Sequence, residues 1–261
     1  MRVAGSTLLY SRLGLEAACS RLADLGFDAV DIGMQEGWSH VDPSECVGAV
    51  DQVQRRVEGA CTAADVDPVA INANAGDVDV ETEAERVAAV ADVADGLGVD
   101  VLTLPAAETD TALETDLERF GVLVDAVADR AVTLTVETHW GTLTEDPTVA
   151  AEYAATVPGL GYTLDPGHFV VGDHDVDPPY RDLLADTEHA HVRQAGTGWA
   201  EIQQPPERGD LDVGAFLVDL RESGYDGAVT VEYIDTLDGV DPETAERNAA
   251  EMRELVLERV S

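Results

Sequence analysis

A chain of 261 residues with 53 acidic and 15 basic side chains carries a formal net charge of −38. It contains no lysine, which excludes Schiff-base aldolases, pyridoxal-phosphate enzymes and P-loop nucleotide hydrolysis. Hydrophobic content of 45% is ordinary for a globular protein, yet such charge opposes compaction by self-repulsion, so the fold is expected to need concentrated salt, where the Debye length falls to about 3 Å at 1 M.

The acids are spread along helix-like segments, as on a solvated outer face, and are not gathered in one tail. A high-salt cytoplasm is the expected location. The start, MRVAGSTLLY, lacks the charged-then-apolar run of a signal peptide, and no apolar stretch approaches the roughly 18 residues that span a bilayer. No membrane partner is therefore expected. Cys19, Cys46 and Cys61 fall in helix-like segments without CxxC pairing and read as buried structural thiols.

Strand-like runs alternate with longer helical patterns along the chain. The first lies near Val3; FDAVDIG (27–33), PVAINAN (68–74), VDVLTLP (99–105), VTLTVE (132–137), GYTLD (161–165), HAHVRQ (189–194) and GAVTVEY (227–233) follow. Gly26 and Gly98 sit where helices should stop before the next strand. Asp42-Pro43 and Asp146-Pro147 each put an N-cap residue before a proline suited to the first helical position. Thr82 with Glu85 fits a capping box. Eight β-then-α units predict an α/β fold, a (β/α)8 TIM barrel, as a single domain spanning 1–261. A doubly wound open sheet is the alternative, because alternation alone does not prove closure. The longest irregular piece, Ala195 to Asp212, follows the seventh strand and is expected to be functional.

In such a barrel the chemistry gathers at the C-terminal ends of the strands. The fifth to eighth strands end on or near Glu137, Asp165, His191 and Glu232. Any one of these alone would ordinarily solvate a rim or cap a helix. Together over one mouth they would repel one another unless a cation neutralised them. Three carboxylates and an imidazole suit a hard to borderline divalent ion: Mn2+, Mg2+, Co2+ or Zn2+. His139 shares the face of Glu137 by the period-two rule and lines either the site or its rim. His189 lies deeper than His191 and reads as a satisfied core histidine. His40 and His174 fall in polar segments and read as exposed. Arg193 shares the inward face of His191, and either binds a substrate carboxylate or hydroxyl or pairs with an acid. Trp140 and Trp199 wall a pocket or pack on a helix; Glu36 and Trp38 are weaker candidates of the same kind.

The motifs VETHWG (136–141), LDPGH (164–168), HAHVR (189–193) and VEYI (231–234) resemble those of the xylose isomerase-like barrel superfamily of sugar isomerases and epimerases. The resemblance implies that Glu137, Asp165, His191 and Glu232 bind one divalent metal ion. It also implies that Glu137 and Glu232 flank the substrate and move protons, and that His168 contacts substrate or a water on the metal. In ketose epimerases the substrate-binding arginine lies further past the strand-seven histidine, a spacing nearer to Arg208 in PPERGD (205–210). QQPPERGDLD (203–212) is similar to a loop of hydroxypyruvate isomerases. The expected reaction is isomerisation or epimerisation of a small ketose or hydroxy-keto acid through an enediolate. A dehydratase or decarboxylase acting on a keto-acid or inosose is the alternative on the same site. Homo-oligomers are common among such proteins.

Two other classes fit less well. The apurinic endonuclease relatives of this barrel carry a multi-zinc cluster needing more histidines, and NANAGD (72–77) at the third strand end has none. The net charge also opposes phosphate contacts, so no nucleic-acid partner is expected. A sugar-binding scaffold would have no use for paired glutamates.

Overall fold

The computed structural model describes residues 1–173, 179–236 and 240–260. Runs rich in Val, Ile, Leu and Thr form eight parallel strands: β1 (Arg2–Ser6), β2 (Ala29–Gln35), β4 (Asp67–Asn74), β5 (Val101–Pro105), β6 (Thr133–Glu137), β7 (Gly161–Leu164), β8 (Thr187–Val192) and β9 (Ala228–Val231). Each pairs with its sequence neighbours, and β1 pairs with both β9 and β2. That last pairing closes the ring, so the open-sheet alternative is set aside and the fold is a (β/α)8 barrel.

One strand was not foreseen. β3 (Ser39–His40) folds back antiparallel on the end of β2, with Met34 opposite His40. Gly37, at φ 71°, makes the turn, and its N–H donates to Asp42 Oδ1 at 2.7 Å. His40, expected in an exposed segment, is instead half-buried, its ring nitrogens 2.9 Å from the Thr7 carbonyl and 3.1 Å from that of Leu13. His174 lies outside the described residues.

The helices are α1 (Leu15–Asp24), α2 (Pro43–Cys46), α3 (Val50–Ala64), α4 (Val80–Leu97), α5 (Leu113–Val127), α6 (Pro147–Thr156), α7 (Pro166–Val171), α8 (Val213–Glu222) and α9 (Pro242–Val260); they surround the barrel except for α7, which is buried along its whole length. Their apolar residues recur at helical spacing, so α3 buries Val53, Val57, Ala60 and Cys61 against the barrel. Leu22 on α1 and Phe216 on α8 are fully buried, each contributing about 1.5–3 kcal/mol by leaving water. All three cysteines are buried free thiols, as expected.

The helix signals hold with two changes. Asp146 caps α6 through the Thr148 N–H at 2.8 Å, and Gly98 takes the left-handed conformation that ends α4. α4 begins earlier than the Thr82–Glu85 pair suggests, because Asp79 caps it by accepting from Thr82 N–H. Asp42 precedes Pro43 as read, but its side chain serves the Gly37 turn rather than the helix. Not every acid faces solvent: buried Asp116 and Glu83 clamp Arg119 at 2.7 and 2.6 Å, and Tyr153 donates to Asp116, tying α4, α5 and α6 together.

Candidate metal centre

The barrel interior below the mouth is polar. Thr103, Thr135 and Thr163, on adjacent strands, close a buried triangle of hydroxyls with contacts of 2.7, 2.7 and 3.2 Å. Beside it, His189 sits 2.9 Å from the Thr230 hydroxyl, fully buried in the barrel as its inward spacing implied.

Above this layer, Glu137 ends β6, while Glu232 follows β9 directly. Asp165 lies one residue past β7, where the chain must stop being a strand: Pro166 starts α7 and Asp165 caps it, Oδ1 accepting from Gly167 N–H at 2.8 Å. Oδ2 is thereby left for the mouth. Thr138 fixes this turn from the neighbouring strand, its hydroxyl accepting from Asp165 N–H (2.8 Å) and donating to Asp165 C=O (3.1 Å). With His191 of β8, these side chains converge: ligand atoms of Glu137, Asp165, His191 and Glu232 lie within 4.8 Å of one another, and each residue is at most 5% exposed.

His191 is the hub. Nδ1 lies 3.0 Å from Glu137 Oε1 and 3.6 Å from Glu232 Oε2, and Nε2 lies 2.9 Å from Asp31 Oδ2. Burial disfavours its charge, but Glu232, Asp31 and Glu137 outweigh burial and raise it well above its ordinary pKa. Burial likewise opposes ionisation of Glu232, yet His191 and Arg193 prevail and bring it down to about 2. Asp31 follows the same pattern: hydrogen bonds from His189 and His191 overcome burial and hold it far below the carboxylate range. Asp165 goes the other way, since burial and the neighbouring glutamates together exceed the pull of Arg193.

Arg193, just beyond β8, is 2% exposed and pairs with Asp165 at 2.7 Å and Glu232 at 3.1 Å. Its Nη2 also contacts His168 Nε2, which must then accept, so the neutral ring carries its proton on Nδ1. Burial first, then the positive fields of His139, Arg193 and His191, keep His168 neutral. Among the described residues, His168 Nδ1 and Arg193 Nε are buried without a hydrogen-bond partner. The His168 ring packs against His139 at a tilt of 37°, centroids 3.9 Å apart. Trp140 and Trp199 stack at 5.2 Å, joining the loops after β6 and β8, and Trp199 is 39% exposed. Arg208 stays exposed on the loop after β8 and is not drawn into the cluster. Glu36 turns away to Arg86 (3.3 Å) and the Ser44 N–H (2.9 Å), and Trp38 is exposed.

Three participants were missed in the sequence. Asn72, on β4, lies 3.5 Å from Glu232 Oε1, and Gln35, on β2, holds the Asn72 side-chain oxygen at 3.0 Å. Asp31 was missed although it interrupts the apolar run of β2; an acid in such a run is buried and must find partners.

The chain is a closed parallel barrel whose mouth gathers carboxylates round a histidine in a cluster that could hold a metal ion. The sequence over residues 19–256 matches the family described as xylose isomerase-like TIM barrel, and the chain belongs to that family. No curated protein matches the chain in sequence. Several solved structures share the fold. D-allulose 3-epimerase from Methylomonas sp. is 15% identical with a TM-score of 0.77, covering 99% of this chain and 98% of that one. The probable 3-DHS dehydratase AsbF from Bacillus anthracis is 15% identical with a TM-score of 0.74, covering 98% and 99%. The IOLI protein, solved with a zinc atom bound, is 17% identical with a TM-score of 0.72, covering 99% of each chain.

Proposed function

We propose that this chain is a divalent-metal-dependent isomerase or epimerase of a small ketose or hydroxy-keto acid, working as one domain. The observation that carries this reading is the buried convergence of Glu137, Asp165, His191 and Glu232. The donor set fits a cation. Four buried acids (those three and Asp31) outnumber the charges of Arg193 and His191, and three carboxylates with one imidazole suit Mn2+, Mg2+, Co2+ or Zn2+. Bound there, a divalent ion would chelate a hydroxyl and the neighbouring carbonyl of the substrate and make the α-proton more acidic.

The protein's own groups do the rest. One glutamate takes the proton from the α-carbon, and the other returns one. Return to the opposite face of the same carbon gives an epimer, and return to the adjacent carbon gives an isomer. Arg193 holds Asp165 and Glu232 in place and keeps Glu232 ionised, ready to accept. His168 carries an Nδ1–H without a partner among the described residues, which suits a substrate oxygen, and its tilted contact with His139 orients the ring. Trp140 with Trp199 offers a flat wall to a sugar face. Arg208, on the same loop as Trp199, is assigned to any substrate carboxylate.

A lyase acting on a keto-acid or inosose is the second reading, favoured by the fold shared with the dehydratase. The same enediolate then expels hydroxide instead of being reprotonated. Glu137→Gln and Glu232→Gln test both. Each is expected to lower kcat by roughly 10²- to 10⁴-fold, with Mn2+-supplemented protein assayed against ketoses, keto-acids and inososes. Product analysis separates epimer, isomer and dehydrated product. Full turnover by either variant, or by chelated native protein, ends the reading.

A further inference from the structure

The described residues hold a second set of potential ligands, Asp31, His189 and His191, which shares His191 with the first. Two explanations compete: a second cation, or a side chain that orients the first cation's ligand. The geometry separates them. His191 Nδ1 faces Glu137 and Glu232, whose oxygens belong to the four-residue cluster, while Nε2 faces Asp31 Oδ2 at 2.9 Å. A cation on each side would require His191 to lose both ring protons. His189 Nε2 is already engaged with the Thr230 hydroxyl at 2.9 Å, and it lies further from Asp31, at 3.3 Å. Asp31 itself is fully buried at the middle of β2, with Oδ1 unpartnered, so its only contacts among the described residues run to these two histidines.

We propose that Asp31 is a positioning residue: its carboxylate accepts the Nε2–H of His191, fixing that ring as an Nδ1 ligand, and no second cation binds. A carboxylate behind a ligating imidazole sets the tautomer, locks the ring plane and makes the other nitrogen a better donor. In a barrel core this matters more than at a surface, because an unmet buried N–H costs more than an exposed one. His191 would otherwise be free to present either nitrogen to the mouth.

The assignment rests on a cation occupying the four-residue cluster, and the experiment keeps the two failures apart. Mn2+ and Co2+ are titrated calorimetrically into chelator-stripped native protein and Asp31→Asn, with the visible spectrum of the Co2+ forms recorded. Native protein is expected to bind one ion per chain. Asp31→Asn keeps the size of the side chain and is expected to bind about 10–100-fold more weakly, with altered Co2+ absorption bands. Affinity within about twofold of native, with an unchanged spectrum, overturns the assignment; so does native binding of two ions per chain with one lost in the variant. Native protein that binds no ion removes the metal reading itself. Should Asp31→Asn not fold, ¹⁵N-histidine NMR of the native Zn2+ form decides. Metal on Nδ1 with a protonated, hydrogen-bonded Nε2 is the expected pattern, and metal on Nε2 overturns it.

Discussion

Arg193→Met is the most informative change to the metal-free protein. The substitution keeps an unbranched apolar stem and removes the guanidinium from between Asp165 and Glu232. At an effective dielectric of 20, charges 2.7 Å and 3.1 Å apart attract by about 6 and about 5 kcal/mol. Burying the guanidinium costs several kcal/mol of that, and removing one partner of a buried pair typically costs about 3–5 kcal/mol because the other charges stay behind. For a chain of this size each kcal/mol moves Tm by about 2–4 °C, so the chelated variant should melt about 6–20 °C below the chelated native protein. A divalent ion in the cluster supplies positive charge to the same carboxylates, so saturating Mn2+ should shrink the gap. Differential scanning calorimetry with and without EDTA measures both numbers. A chelated variant melting within about 2 °C of native would refute the view that Arg193 compensates these acids.

Three further outcomes are expected. In the metal-free protein His191 is raised above its ordinary 6.5, so its stabilisation is complete below 6.5 and fades as pH rises through the elevated value; Glu232, lowered to about 2 from 4.5, stabilises above 4.5 and fails in acid. Chelated protein should therefore melt lower at pH 9 than at pH 6, and metal affinity should rise with pH because His191 must shed a proton to ligate; flat profiles in both would contradict this. Thr138→Val leaves the Asp165 N–H and C=O without their buried partner, which should cost about 1–3 kcal/mol in urea unfolding and lower metal affinity as well. A net charge of −38 predicts a Tm that climbs steeply from 0.1 M to 2 M KCl, as screening shortens the Debye length from about 10 Å to below 3 Å; a salt-independent Tm removes the halophilic reading.

The barrel was legible because strands buried on both faces leave near-continuous apolar runs with a fixed rhythm, and Gly98 or Asp146 punctuate it in recognisable ways. The convergence of Glu137, Asp165, His191 and Glu232 was legible for a related reason. Each lies at or near the C-terminal end of its strand, and a barrel sends all such ends to one mouth. β3 was not legible, being two residues long and made by a Gly37 turn of a kind common to many loops. The Asp79 cap was hidden because Thr82 and Glu85 offered an equally good local pattern, and only the backbone path chooses between them.

The sequence by itself determined the periodic pattern, the acidic surface and the inventory of side chains at the strand ends, since these depend on local spacing. The tertiary structure alone decided which of those side chains touch. Asp31 and His191 are 160 positions apart, and Arg193 reaches Asp165 and Glu232 across two strand boundaries. Whether Arg193 faced a substrate or an acid, and which nitrogen of His191 faced the mouth, had no local signal. The first is settled by strand pairing, because β7 and β9 flank β8 and bring Asp165 and Glu232 to either side of Arg193; the second is settled by ring closure, which brings Asp31 of β2 to His191. Charges buried there must take whichever partner the other strands supply.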